Sequence, residues 1–417
     1  MVNDLEGLFS TNARRMKKSV IRELLKLTRK PEIISFAGGL PDPNAFPIDE
    51  VSEIVDVVLK REGRTALQYS PTEGDPKLKD ELIAYHEREN GVKLGPDNIV
   101  VTVASQQALD LVGKCFIDNG DPVIVGRPTY VGGLSAFHNY GANMIGVPLD
   151  EGGMRMDLLE HELRKLRDAG QRPKFIYVIP DFQNPAGITM TEPRRHELIA
   201  LARSYDALIV EDSPYRELRY AGESVRTIYA LEGTGQVVGL HTFSKILFPG
   251  MRLGWVIGDE SVIQKLVVAK QATDLCTPAF TQAIVAEFMA RGLLTQVIEN
   301  VKSIYSKKRA VMLEALDEHM PKMEGLDWTK PEGGLFLWVT LPASMDADEL
   351  FYDAIEHNVA FVVGSAFDCA GTQKNTMRLN FSFPTEDEIL EGVKRLASVI
   401  SEYAKKNGSD KSVVATP

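Results

Sequence analysis

Between about Asn98 and Val256, short and almost wholly apolar runs alternate with stretches of helical periodicity. The runs are Ile99–Val103, Pro122–Val125, Phe175–Ile179, Leu208–Val210 and Val237–Leu240, and Glu192–Ser204 is one of the helical stretches. Few folds accept this alternation. Strands joined through helices lie parallel, and a strand apolar at every position is covered on both faces. The expected class is α/β, a mostly parallel central sheet flanked by helices. From about Val301 the pattern changes to a long helix, then candidate strands Leu335–Leu341 and Met377–Phe381 and a closing helix Glu386–Lys405. That order predicts a smaller α+β domain. The expected layout is an N-terminal helix or arm over 1–30, a segment over 31–60 packing with the small domain, a large domain over 61–300, a small domain over 301–405 and a flexible tail over 406–417.

Ser10, Thr11 and Asn12 suit the cap of a first helix with an apolar stripe of Val20, Ile21, Leu24 and Leu25. The turn-rich stretch Phe36–Pro47 suits a backbone that approaches something closely. Gly233–Gly239 is glycine-rich, but a strand follows where a dinucleotide fingerprint needs a helix, so it reads as a turn.

The formal charge of −11 opposes a nucleic-acid surface, which needs clustered positive charge. Cys115, Cys276 and Cys369 have neither metal-ligand nor disulfide spacing, which suits reduced thiols in a cytosolic protein. No apolar run nears the roughly 20 residues that span a bilayer. The N-terminus lacks the apolar core of a signal peptide. These features predict a soluble cytoplasmic protein without nucleic acid, membrane or metal partners.

In open α/β sheets ligands bind beyond the carboxyl ends of the strands. Ser105, with the backbone N–H groups of Gln106 and Gln107, would stand at a helix N-terminus, an anion site or a plain cap. Tyr130 suits a ring lying against a heteroaromatic ligand, or core. Asn184, before a proline, could donate to a phenolate oxygen or simply make a turn. Asp212 could keep a pyridine nitrogen protonated, and Tyr215 would reach the same oxygen as Asn184. Glu211 and Asp212 could instead bind a metal, but no histidine lies nearby. In His241–Gly254 an apolar run delivers Lys245, with Arg252 seven positions on. Alone, Lys245 reads as a loop lysine. Beside a phosphate-binding arginine it suits a Schiff base. Five strand-end clusters, each supplying one part in order, point to pyridoxal 5'-phosphate.

With these residues assembled, the chain resembles the fold-type I, class I/II aminotransferases over nearly its whole length. The resemblance rests on Ser244–Arg252, Asn184–Gly187, Glu211–Tyr215, Pro331–Phe336 and Arg378–Phe381. Ile21–Lys26, Ser35–Pro41, Tyr69–Gly74 and Ser105–Gln107 are similar to the 2-aminoadipate and kynurenine aminotransferase branch. The resemblance implies that Lys245 is the Schiff-base lysine and that Asp212 pairs the pyridinium nitrogen. Asn184 and Tyr215 would bind the ring hydroxyl, Tyr130 would stack, and Ser105, Gln106, Ser244 and Arg252 would hold the phosphate. Tyr69 would reach the neighbouring subunit's phosphate, implying a homodimer with shared active sites. Arg378, otherwise a strand-edge surface arginine, would clamp the substrate α-carboxylate with backbone help at Gly39. Arg22, otherwise on a solvated helix face, would meet a distal carboxylate.

The chain departs from the family pattern at Ala104, where glycine is common, at Gly126-Arg127, where an acidic residue is usual, and at Gly364-Ser365, where many relatives have Pro-Gly. The implied chemistry is ping-pong transamination between an L-amino acid (glutamate, 2-aminoadipate or aromatic) and a 2-oxo acid such as 2-oxoglutarate. Lys245 would remove the α-proton and return it to the cofactor's C4' carbon. A racemase or β-lyase on the same fold is the alternative. A transcription regulator with such a domain would need a DNA-binding module ahead of Ile34, where only about thirty residues stand.

Overall fold

A computed structural model describes residues 5–18 and 30–406. Arg22, the stripe Val20, Ile21, Leu24 and Leu25, and the tail beyond Lys406 lie outside the described residues. Ser10 caps the helix Thr11–Arg15 by accepting from the Ala13 N–H, as its position predicts.

The strands in chain order are β1 (Ile34–Ser35), β2 (Ile99–Thr102), β3 (Pro122–Arg127), β4 (Asn143–Asp150), β5 (Gly153–Met154), β6 (Phe175–Val178), β7 (Leu208–Asp212), β8 (Val237–Thr242), β9 (Gly254–Ile257), β10 (Asp327–Trp328), β11 (Phe336–Thr340), β12 (Val359–Ala360), β13 (Val362–Val363) and β14 (Thr376–Asn380). Among the described residues, β2-β9-β8-β7-β6-β3-β4-β5 form one eight-stranded sheet. Neighbours from β8 to β4 pair in parallel, while β9 runs antiparallel to both β2 and β8. Five expected strands are present, and β2, β3, β6, β7 and β8 all end on the same side. Every residue of β2, β6 and β8 is buried, which is why their sequences carry no polar alternation. β9 and the β4–β5 pair were not expected. Only a single 3-10 turn, Pro249–Met251, stands between β8 and β9, so no long helical pattern announces it.

Flanking helices show their causes in sequence. Pro76–Asn90 starts on Asp75, whose carboxylate accepts from the Lys77 and Leu78 N–H groups, with Pro76 in its first turn and Gly91 closing it at φ 64°. Its buried Leu78, Leu82, Tyr85 and His86 recur at i, i+4, i+7 and i+8, one face of a helix.

A four-stranded antiparallel sheet, β10-β11-β14-β13, forms the C-terminal part. The helices Leu293–His319 and Glu386–Lys406 pack together in this part, and the first is continuous across 300/301. The N-terminal strand β1 pairs parallel with β12, tying the start of the chain to its end. Among the described residues no helix is long and apolar enough to cross a membrane.

Candidate active site

The loop 243–253 sets the site. Thr242 pairs with Gly254 across β8 and β9, and the Phe243 N–H donates to the Leu253 carbonyl at 3.0 Å. Lys245 and Arg252 therefore leave and re-enter one closed turn at the strand ends. Gly254 is required there: a Cβ would lie 2.5 Å from the His241 oxygen and 2.9 Å from Ala104 Cα. That close approach brings the N-terminus of Ala104–Phe116 against the turn, with Ala104 itself at φ 58°.

A cavity of about 130 Å³ is lined by Ser105, Gln106, Tyr130, Asn184, Asp212, Tyr215, Ser244, Lys245 and Arg252. Nine predicted residues thus meet, although they span the chain from 105 to 252. A larger cleft of about 640 Å³ lies around Trp328 and Glu332 and contains none of these groups. The Gln107 side chain turns away from the cavity: its oxygen accepts from the Val103 N–H at 2.8 Å and its nitrogen donates to Asp274 at 2.6 Å. Gln107 does not line the cavity. Tyr69 stands 78% exposed and does not line this cavity.

The two acids at the end of β7 separate because strand neighbours point to opposite faces. Glu211 accepts from the Ile228 and Tyr229 N–H groups at 2.9 and 2.8 Å and so caps a helix. Asp212 faces the cavity, and burial raises its carboxyl to a pKa of about 7. Tyr177, which the sequence reading did not single out, donates to Asp212 Oδ2 at 2.7 Å. A hydroxyl inside an otherwise apolar buried run was the available signal, since a buried tyrosine needs a partner.

Lys245 Nζ donates to the Gly39 carbonyl at 2.8 Å. Desolvation foremost, then the charges of Arg378 and Arg252, lower its pKa to about 8. Arg378 is no edge arginine: β14 lies between β11 and β13, and the residue is 4% exposed. It donates to Asn184 Oδ1 and to the Ala37 carbonyl, each at 2.9 Å. Its guanidinium lies 4.1 Å from the Phe336 ring centroid and 5.0 Å from that of Phe367. The Asn184 nitrogen donates to the Tyr215 hydroxyl at 3.3 Å, so one amide links the arginine to the phenol. Ser244 accepts from Thr242 at 2.8 Å and faces Arg252 at 3.5 Å.

The residues fit pyridoxal phosphate on one direct observation. Among the described residues Asp212 Oδ1 has no hydrogen-bond partner although it is buried, and an unpaired buried oxygen is costly unless a ligand atom meets it. A protonated pyridine nitrogen is such an atom. At the other side of the cavity, the first turn of Ala104–Phe116 and Arg252 provide for an anion.

Residues 38–396 match the family described as aminotransferase class I and II. The aromatic-amino-acid aminotransferase 1 of Thermococcus litoralis is 46% identical over 403 residues, covering 97% of this chain and 96% of that protein. The 2-aminoadipate transaminase of Thermus thermophilus is 41% identical over 395 residues, 94% of this chain and 96% of its own length. The crystal structure of Pyrococcus horikoshii kynurenine aminotransferase, solved with PMP, superposes with a TM-score of 0.93 at 46% identity, covering 96% of this chain and 99% of that one. These relatives favour transamination over the racemase and β-lyase readings. A pyridoxal-phosphate enzyme that transfers amino groups, this chain belongs to the class I and II aminotransferase family.

Proposed function

We propose that this aminotransferase moves amino groups by a ping-pong mechanism between an L-amino acid (glutamate, 2-aminoadipate or an aromatic amino acid) and a 2-oxo acid. Glutamate and 2-oxoglutarate form one couple, and 2-aminoadipate or an aromatic amino acid, with its 2-oxo acid, forms the other. The substrate names of the relatives support that range. The residue roles are supported above all by the convergence of Lys245, Asp212, Asn184 and Tyr215 on one cavity.

When bound, pyridoxal phosphate supplies an aldehyde that condenses with amines and a ring that accepts the electron pair released at the substrate's Cα. Asp212 keeps the ring nitrogen protonated. Asn184 and Tyr215 hold the ring hydroxyl, and Tyr130 lies against the ring. Ser105, Gln106, the N–H of Gln107, Ser244 and Arg252 hold the phosphate. Arg378 clamps the substrate α-carboxylate, with the backbone at Gly39 beside it. The Lys245 amine takes the proton from Cα and holds it for return. Its lowered pKa leaves a usable neutral fraction near pH 7.

Tyr69 serves the neighbouring subunit, and the protein is a cytoplasmic homodimer with shared active sites. The exposure of Leu67 and Tyr69, 70% and 78%, supports an interface there. The working layout is an arm over 1–30, a segment over 31–60, a large domain over 61–300, a small domain over 301–405 and a tail. The separate eight- and four-stranded sheets support the division between large and small domains. Arg22 reads a distal substrate carboxylate; an unchanged ratio of glutamate to leucine turnover in Arg22→Ala would discard that role.

The deciding experiment is a half-reaction screen. Cofactor-loaded enzyme is mixed with one amino acid at a time, and loss of visible absorbance is followed. Glutamate, 2-aminoadipate and aromatic amino acids should react fastest. A preference for alanine or basic amino acids over all of these would overturn the substrate assignment.

A further inference from the structure

Tyr177 on β6 pairs with Val210 on β7, so Tyr177, Val210 and Asp212 share one face of the sheet. Asp212 is the diagonal neighbour of Tyr177, a separation that a long aromatic side chain spans. The Tyr177 hydroxyl reaches Asp212 Oδ2 at 2.7 Å, and the ring is fully buried. Two neighbours fix that ring. Phe137 meets it edge-on at 5.3 Å between centroids, and Gly133 lies against its outer end. A Cβ at 133 would stand 3.0 Å from Tyr177 Cε1 and 3.2 Å from its hydroxyl oxygen. The glycine therefore leaves the space that the phenol occupies.

With Oδ2 held, Oδ1 is the oxygen left for a ligand. Resting on the assignment of Asp212 to the cofactor's ring nitrogen, we propose that Tyr177, seated by Gly133, is a positioning residue. It aims Oδ1 at that nitrogen and decides which of the two holds their shared proton. Burial pushes the Tyr177 phenol well above its usual range, so it acts only as a donor here. Tyr130, Tyr215, Lys245 and Arg252 are titratable or charged groups that share the cavity with Asp212, and burial also raises Tyr215. A phenol hydrogen bond stabilises the carboxylate, and the proton stays on nitrogen. Without it, the O–H bond forms at Oδ1 as the N–H bond breaks. The ring becomes neutral and a poorer electron acceptor. Each pKa unit lost in this way shifts the proton ratio about tenfold.

The test uses holoenzyme loaded with pyridoxal phosphate carrying ¹⁵N in its ring, read by NMR in wild type, Asp212→Ala, Tyr177→Phe and Gly133→Ala. In Tyr177→Phe the ring resonance should move toward neutral pyridine, and kcat should fall about tenfold or more with little change in KM. Gly133→Ala keeps the hydroxyl but displaces it, so it should shift the resonance in the same direction by less. It decides the question if Tyr177→Phe does not fold. If Asp212→Ala leaves the wild-type resonance in place, the Asp212 assignment fails and the proposal fails with it. If Asp212→Ala moves it and neither other variant does, the role of Tyr177 alone is refuted.

Discussion

The amine of Lys245 is held by the carbonyl oxygen of Gly39 at 2.8 Å, although the two residues lie 206 positions apart. Gly39 belongs to a strap stitched to the far end of the chain. The Phe36 N–H donates to the Ala360 carbonyl, the Asn380 N–H to Phe36, and the Ser382 hydroxyl to the Leu40 carbonyl. Asp42 closes the strap through a 2.6 Å ion pair with Lys308. The Lys245 amine, at the end of the large sheet, is thus positioned by backbone that the C-terminal part of the chain holds.

Lys245 titrates near 8 in the cofactor-free protein, against a usual 10.5. Only the neutral amine attacks an aldehyde, so capture of pyridoxal phosphate by apoenzyme should accelerate as pH rises through about 8. Arg378→Leu removes a neighbouring positive charge and should move the midpoint upward. Stopped-flow absorbance measures both. Lys245→Ala should lower turnover by at least about 10².

Asp212 carries the opposite sign of shift. Its folded pKa is raised from 3.8 to about 7, so the folded protein binds this proton more tightly than the unfolded chain. The group's stabilising share is full below 3.8 and is lost as pH climbs to about 7. Asp212→Asn should therefore gain on wild-type apoenzyme in melting temperature between pH 4 and pH 7, even as transamination is lost. A difference independent of pH in calorimetric scans would contradict this.

Arg378→Lys keeps the charge but loses the fork that reaches Asn184 and Ala37 together. A hydrogen bond to a charged group is worth about 1.5–3 kcal/mol, so kcat/KM for the amino acid should drop by about 10- to 100-fold. Steady-state kinetics with glutamate would report it. Unchanged kcat/KM would remove Arg378 from the substrate site.

Lys308→Met strands the Asp42 carboxylate among buried neighbours, since both side chains of the pair are under a tenth exposed. Breaking such a pair costs about 3–5 kcal/mol. The double variant Asp42→Asn, Lys308→Met should lose less than the single one. Urea unfolding compares them, and a single variant as stable as wild type would show that the pair does not hold the strap.

Five strands of the sheet, β2, β3, β6, β7 and β8, were legible because they are apolar on both faces, and the cavity was legible because each of their ends carries a distinct polar type. Tyr177 was not, because a tyrosine among Phe175, Ile176 and Val178 reads as core until the pairing with β7 is known. The orientation of Gln107 was equally hidden: its side chain answers to Asp274 and Lys270, contacts that depend on tertiary structure. Arg378 could be placed by resemblance alone, since sequence does not say that β14 is an inner strand.

Because the strap around Phe36 is held by Ala360 in β12, Asn380 in β14, Ser382 and Lys308, a nascent chain that already carries Gly39 and Lys245 lacks the partners that hold Gly39 in place and the guanidinium of Arg378. The setting of the Lys245 amine is therefore completed only after β14 has been made.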